Sequence, residues 1–289
     1  MRSARRAVVT ILTEDHGLPV QRACQIARCS RTAFYRAQRS DAAVSPADAD
    51  APVITALQAV LERHGRWGFW KCFDRLRALG HAWNHKRVDR VYCALGLNQV
   101  RRTKKRVPTR EVVPLNAPPQ LNTTWAMDFM GDSLYSGRSY RLLNVLDEGN
   151  REALAIEVDF SLPSTRVVAV LDDLVAQHGA PRQLRCDNGP EFIADAVRTW
   201  CEARGITLAY IEPGKPNQNA YIERFNRSFR EEVLDACVFT TLAEVRAGSE
   251  EWRNGYNTER SHESLGNVPP LTFLPRPTNA TPSTFKLCA

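Results

Sequence analysis

The chain is written in two textures that meet near residue 120. Before that point apolar residues recur every three or four positions in short stretches broken by Gly, Pro and small polar residues, the spacing of short helices. Beyond it, runs rich in Val, Ile, Leu and aromatic residues alternate with longer amphipathic stretches, the pattern of strands and helices in turn.

In the first texture Pro19 opens a helix through about Ala27, Arg28 to Ser30 make a turn, and Ser30 caps a second helix over 31–38 that carries Arg31 and Arg36. Two short helices joined by a three-residue turn, the second of them basic, predict a helix-turn-helix within residues 1–40 that lays its second helix in a major groove. Residues 41–51 are small and polar and read as a linker. A second helical, DNA-binding unit follows over 52–98, with helices from Pro52 to His64, from Gly68 to Leu79, and from a cap at Asn84 to Leu95. Its aromatic cluster, Trp67, Phe69, Trp70 and Phe73, is expected to be core rather than a base-stacking platform. A basic, Pro-containing linker over 99–120 then carries Arg101, Arg102, Lys104, Lys105 and Arg106, placed for phosphate contact.

The second texture predicts strands at 124–130, 140–146, 152–159, 183–186 and 206–210, with helices at 164–178, 191–204 and 219–236. A turn over 131–139 lets the first three strands meander antiparallel, whereas the later strands alternate with helices and pair in parallel. The expected fold class is α/β, a mixed five-stranded sheet flanked by helices over 121–236, preceded by all-α units and followed by a C-terminal helix and tail over 237–289.

Charge divides along the same line. Residues 1–110 hold 22 Lys and Arg against 8 Asp and Glu, while the remainder holds 17 against 24, so the front is built to attract a polyanion and the back to hold metal. With 43% hydrophobic and 25% charged residues the chain has the composition of an ordinary soluble globular protein. Val8 to Leu12 is too short, and too soon interrupted by Glu14 and Asp15, for a signal or membrane segment, so a cytoplasmic, nucleoid-associated protein is expected. The 8 cysteines form no CxxC pair and read as reduced thiols; Cys72, His81, His85 and Cys93 could be weighed as a zinc set, but the cysteines are isolated and no structural zinc is expected.

Three acids stand out within the second texture. Asp128 ends a buried strand where an apolar residue would be cheaper, Asp187 closes a short strand just before the turn Asn188-Gly189-Pro190, and Glu223 lies in an amphipathic helix. The expected sheet order brings Asp128 beside Asp187 and lets the last helix lay Glu223 across them. On that helix Ile222, Phe225, Phe229 and Val233 form the stripe that packs on the sheet, while Glu223, Asn226, Arg227 and Arg230 fall on the adjacent face. Three carboxylates converging in this way suit a pair of hard divalent cations that act on phosphates.

The surrounding words carry a resemblance. Trp125-Ala126-Met127-Asp128-Phe129, then Cys186-Asp187-Asn188-Gly189-Pro190-Glu191-Phe192, then Pro213 through Asn226 resemble the catalytic core of retroviral integrases and of related bacterial insertion-sequence transposases, most closely the second-reading-frame product of the insertion-sequence family numbered three. The 35 residues between Asp187 and Glu223, and a basic residue seven positions after the glutamate, Arg230, also match the pattern of that family. Asn84-His85-Lys86-Arg87-Val88 looks like its helical DNA-binding segment, and Trp252, Tyr256, Arg260, His262 and Pro269-Pro270 look like its tail. The resemblance implies a ribonuclease H-like fold, with Asp128, Asp187 and Glu223 as the catalytic metal ligands of a DDE transposase. It implies two Mg2+ ions, replaceable by Mn2+, and a homo-oligomer assembled on double-stranded DNA. Lys215, Asn219, Asn226, Arg227 and Arg230 would contact or support the DNA, together with Arg31, Arg36, Lys86, Arg87 and the basic linker. The implied reaction is recognition of terminal inverted repeats, hydrolysis at the element ends, and direct attack of the freed 3′-hydroxyl on target DNA. The alternatives are a catalytically dead DNA-binding regulator and a nuclease that cuts without joining.

Overall fold

The structure is a computed structural model that describes residues 2–35, 46–98, 118–212 and 216–276. It divides into two compact units, 1–55 and 56–289. In the first, helices α1 (Arg2–Glu14) and α2 (Val20–Ile26) precede a helical stretch α3 (31–35). Val9, Ala23, Cys24 and Phe34 close on one another as its core, where apolar contact rather than length holds such short helices. The turn is made as the sequence indicates: Arg28 takes a left-handed φ of 49°, and the Ser30 hydroxyl accepts the Ala33 N–H at 3.2 Å. Helix α4 (Pro46–Arg63) begins ahead of the predicted Pro52, which lies inside it, so residues 46–51 are helical rather than linker.

In the second unit, helices α5 (Phe69–Ala78) and α6 (His85–Ala94) pack around Trp67, Cys72, Leu76, Val88 and Tyr92, all buried. Asn84 caps α6 as predicted, its side chain accepting the Lys86 N–H at 2.9 Å. The aromatic cluster departs from expectation at one ring, because Trp70 is 63% exposed while Trp67 is core.

The sheet comprises β1 (Thr124–Ser133), β2 (Ser139–Asp147), β3 (Ala153–Asp159), β4 (Gln183–Cys186) and β5 (Thr207–Tyr210), in the order β3-β2-β1-β4-β5. The first three pair antiparallel, whereas β1 with β4 and β4 with β5 pair in parallel, the ribonuclease H-like arrangement expected from the sequence. Alternation along β1 assigns its two faces. Trp125 and Met127 join Leu143, Val145, Leu184 and Cys186 against helices α7 (Ser164–His178) and α9 (Asp195–Ala203). Ala126 faces the other way, with Leu146 and Ala153, against Ile222 and Phe225 of α10 (Ala220–Phe229) and Tyr256 of α11 (Leu242–Thr258). Covering that second face therefore takes α11 as well as α10.

Two predicted helices are each broken. The stretch 191–204 divides at Ala194, whose ψ of 142° is extended, into α8 (Pro190–Ile193) and α9. The stretch 219–236 becomes a 3-10 turn (Pro216–Asn219), then α10, then a π turn (Arg230–Leu234) closed by the Asp235 N–H donating to the Arg230 carbonyl at 2.8 Å. The extra residue lets Val233 and Leu234 both bury against Leu134 and Leu142 while Arg230 reaches back to β1. The chain ends its described course in a short helix, α12 (Pro270–Phe273).

Candidate active site

Register brings the first two acids together. The parallel ladder between β1 and β4 ends at Ala126↔Arg185, so Asp128 and Asp187, each two residues further on, stand level and on the same face, the one that α10 covers. Helix α10 carries Glu223 on its exposed side, while Ile222, Phe225 and Phe229 are fully buried, as the helix phase predicted.

A chain of amides fixes Asp128. Its Oδ2 accepts from Asn226 Nδ2 at 2.8 Å, and Asn226 Oδ1 accepts from Asn144 Nδ2 at 2.7 Å. Asn144 lies opposite Asp128 in the β1–β2 register and is wholly buried, with its own Oδ1 left without a partner. The other carboxylate oxygen of Asp128 accepts the Phe129 N–H at 2.9 Å. Burial first, then the charge of Asp187, then that of Glu223, push the Asp128 carboxyl up to about 6, and the bonds from Phe129 and Asn226 only partly oppose this.

Asp187 is held by the turn that follows it, its Oδ1 accepting the Gly189 N–H at 3.0 Å. A Cβ on residue 189 would stand 3.0 Å from that same oxygen, so any other residue there would press the Asp187 carboxylate aside by a few tenths of an ångström. A ring stack then clamps the turn to the first strand: Phe192 of α8 lies on Phe129 at 4.8 Å between centroids. Arg141 sits over the Phe129 ring and pairs with Glu191, and Tyr210 donates to the Phe192 carbonyl at 3.0 Å. Residues next to Asp128 and Asp187 therefore pack on one another, which fixes the two acids relative to each other.

As a donor set, Asp128, Asp187 and Glu223 offer hard carboxylate oxygens with no cation paired to any of them among the described residues. Such oxygens fit a hard divalent ion, and the mutual repulsion felt by Asp128 is what a cation would relieve. Among the described residues no three His, Cys, Asp or Glu side chains are gathered closely enough to hold an ion.

Comparisons with known proteins give the family of the chain. Residues 118–216 and 204–270 each match the family described as Integrase core domain, and residues 47–106 match the HTH-like domain. The 39.2 kDa protein of insertion element IS476 from Xanthomonas euvesicatoria is 38% identical over 269 residues, covering 93% of this chain and 76% of that one. The 31.7 kDa protein of insertion element IS407 from Burkholderia multivorans is 34% identical over 280 residues, covering 96% and 99%. The transposase for insertion sequence element IS629 from Shigella sonnei is 24% identical over 219 residues, covering 72% and 74%. The chain belongs to the insertion-sequence transposases. It has their integrase-type core and an HTH-like domain in front of it.

In this transposase the predicted DNA contacts fall into different places. Arg227, Lys86 and Arg31 are exposed and Arg87 is half-buried, whereas Arg36, Arg101, Arg102, Lys104, Lys105, Arg106 and Lys215 lie outside the described residues. Asn226 and Asn219 are buried at 8% and 3% exposure, so neither is on a DNA-facing surface; Asn226 is spent on orienting Asp128. Arg230, two helical turns beyond Glu223, is spent on the end of β1, its guanidinium donating to the Gly131 carbonyl at 2.8 Å and to Asp132 at 3.4 Å. Sequence reasoning missed Asn144 and the Phe129–Phe192 clamp. An amide inside the apolar strand Leu142 to Leu146, at even spacing from its neighbours on the Asp128 face, was the available signal.

Of the set Cys72, His81, His85 and Cys93, the first three are engaged in packing. The Cys72 thiol is buried and donates to the Trp67 carbonyl, His81 stacks on Trp83 at 4.3 Å, and His85 packs against Trp70. Cys93 is exposed. Among the described residues no helix is long and apolar enough to cross a membrane.

Proposed function

We propose that Asp128, Asp187 and Glu223 are the catalytic carboxylates of a transposase that binds the terminal inverted repeats of its element, hydrolyses the DNA ends and joins them to target DNA. The observation that carries this reading is the level placement of Asp128 and Asp187 on one face, under the helix that bears Glu223, with no cation paired to the three. Hydrolysis leaves a 3′-hydroxyl on the element end; that hydroxyl then displaces the 3′ oxygen of a target phosphodiester, so one P–O bond forms as one breaks. Two Mg2+ ions, or Mn2+ in their place, held by the three carboxylates would activate the attacking oxygen and stabilise the leaving one. Asn226 keeps one Asp128 oxygen in place and the Gly189 N–H keeps Asp187 in place, so the remaining carboxylate lone pairs face the substrate. The helical units and the exposed cations Arg31, Lys86 and Arg227 would hold DNA by its phosphates, and two element ends call for a homo-oligomer on the DNA.

The test uses the purified full chain with labelled element ends, Mg2+ and target DNA. Joined products made by the wild type and absent from Asp187→Asn and Glu223→Gln are expected. Binding with no metal-dependent breakage would reduce the protein to a DNA-binding regulator, and breakage without joining would make it a nuclease.

A further inference from the structure

Beside the catalytic face, α10 turns a second side toward the segment that carries α5. Two adjoining cavities there, of about 680 Å³ and 1190 Å³, share Trp70, Lys71, Arg224, Ser228 and Arg260 and so form one continuous groove. Arg227 lines its larger reach. Arg224 follows Glu223 directly in α10 and Arg227 stands one turn beyond, so the groove lies on the side of the helix next to the third carboxylate, which does not itself line it.

The groove is of mixed charge, with Asp74, Glu231, Glu232, Asp235 and Glu263 in its walls, and its cations are of two kinds. Arg260 and Lys71 converge on the half-buried Glu232, with Lys71 at 3.8 Å, and Trp252 donates to the same carboxylate at 3.0 Å. Arg224 and Arg227 are exposed and form no ion pair among the described residues. Their charge is available to a polyanion.

Trp70 supplies what a groove for phosphates alone does not need. Its ring packs against His85 at 6.2 Å and 29°, with Phe69 and Phe73 at its edges, yet 63% of the residue is exposed. A supported indole at the wall of a groove that also presents the unpaired guanidinium groups of Arg224 and Arg227 is a surface on which a flat, apolar ring can stack. Bases in an intact duplex are already stacked and present only their edges, whereas an unpaired base has a free face.

We propose that this groove holds a single strand of DNA leading to the carboxylates, with an unpaired base stacked on Trp70 and the backbone phosphates on Arg224 and Arg227. The inference rests on the catalytic reading above for its substrate class, and it adds that the DNA is opened at the site. Trp70 acts here by stacking and has no part in the chemical step.

Binding measured by fluorescence anisotropy in EDTA tests the groove with no cutting to confuse the result. The probes are a blunt duplex and the same duplex with a short single-stranded 3′ tail; the proteins are the full-length wild type, Trp70→Phe and Trp70→Leu. The exposed position tolerates both changes, and Leu keeps bulk while removing the aromatic face. The expected result is that the leucine variant loses on the order of 10- to 100-fold in affinity for the tailed duplex, that the phenylalanine variant stays near wild type, and that blunt-duplex affinity is the same for all three. Equal affinities for the tailed duplex, or equal losses on both probes, would overturn the proposal. A wild type that binds the tail through Trp70 but neither cuts nor joins with Mg2+ would sink the catalytic reading and leave the groove standing. Cutting and joining by the wild type, with no tail preference, would do the reverse.

Discussion

Replacing Asp128 by Asn should make the metal-free protein more stable while removing its activity. In the folded chain the carboxyl is pushed up to about 6 from its ordinary 3.8, by burial and by Asp187 and Glu223. Below about pH 4 the group is protonated folded or unfolded, and no penalty exists. Between about pH 4 and 6 the unfolded chain gives up its proton while the folded chain retains it, and above about 6 the fold carries the whole penalty. At roughly 1.4 kcal/mol per pH unit the shift amounts to about 3 kcal/mol of lost stability at neutral pH, which the uncharged amide does not incur. One term opposes this. The new NH2 group would face either the Phe129 N–H or the Asn226 amide, which costs about 1 kcal/mol if nothing adjusts. Asn226 and Asn144 can both flip, since Asn144 Oδ1 has no partner and would gain the Asn226 NH2 group. Urea unfolding followed by tryptophan fluorescence in EDTA, from about pH 4.5 to 7.5, should then show the variant about 2 to 3 kcal/mol more stable at pH 7 and the gap closing towards pH 4. Adding Mg2+ should narrow the gap again by stabilising the folded wild type. A variant no more stable than wild type at pH 7 in EDTA, or a gap that ignores pH, would refute the account of a strained carboxylate.

Other substitutions probe the supports. Phe192→Ala removes a fully buried ring from the clamp on Phe129 and should cost about 3 to 5 kcal/mol in urea unfolding, with a larger loss of cutting than that stability change explains, because Asp187 is released. Asn226→Ala leaves the Asn144 amide buried and unpartnered; a loss of about 1 to 3 kcal/mol is expected, with cutting slowed at saturating DNA and DNA affinity unchanged. Glu232→Ala strips Arg260, Lys71 and Trp252 of their common acceptor and should cost about 3 to 5 kcal/mol, since it strands buried charge; a smaller change in thermal and urea unfolding than for a surface ion pair would contradict that role.

The sheet was legible in the sequence because its strands are long or bounded by strong turn signals. Asn188-Gly189-Pro190 and the alternation Trp125-Ala126-Met127-Asp128 together tell which residues face α10. Helix ends were legible where a side chain makes the cap, as at Ser30 and Asn84. The π turn was not, because its i to i+5 bond has no residue preference to read and is selected by the packing of Val233 and Leu234. Arg230 was expected beside the DNA, but phase does not reveal that a carbonyl and a carboxylate at the end of β1 take up its guanidinium. Asn226 was expected to support DNA, since helix phase reveals which side a residue faces but not whether a neighbouring strand covers it. Trp70 was expected inside, because spacing alone does not distinguish a ring in the core from one at the wall of a groove.

The π turn also has a consequence for how this chain can change. One surplus residue at Arg230–Leu234 uncouples the phase of the helix before it from the phase of the chain after it. Deleting one of Glu231–Leu234 would let the Asp235 N–H meet the Arg230 carbonyl across an ordinary α turn, so the chain beyond would keep its place. The loss would fall inside the turn, on the packing of Val233 and Leu234 against Leu134 and Leu142 and on the Glu232–Arg260 pair, while Glu223 itself would not move. A deletion in the first turns of α10 would instead rotate the carboxylate against a fixed anchor. The two halves of the segment are thus separately indexed, one to the chemistry and one to the scaffold, and single-residue length changes on either side of Arg230 should give opposite kinds of defect.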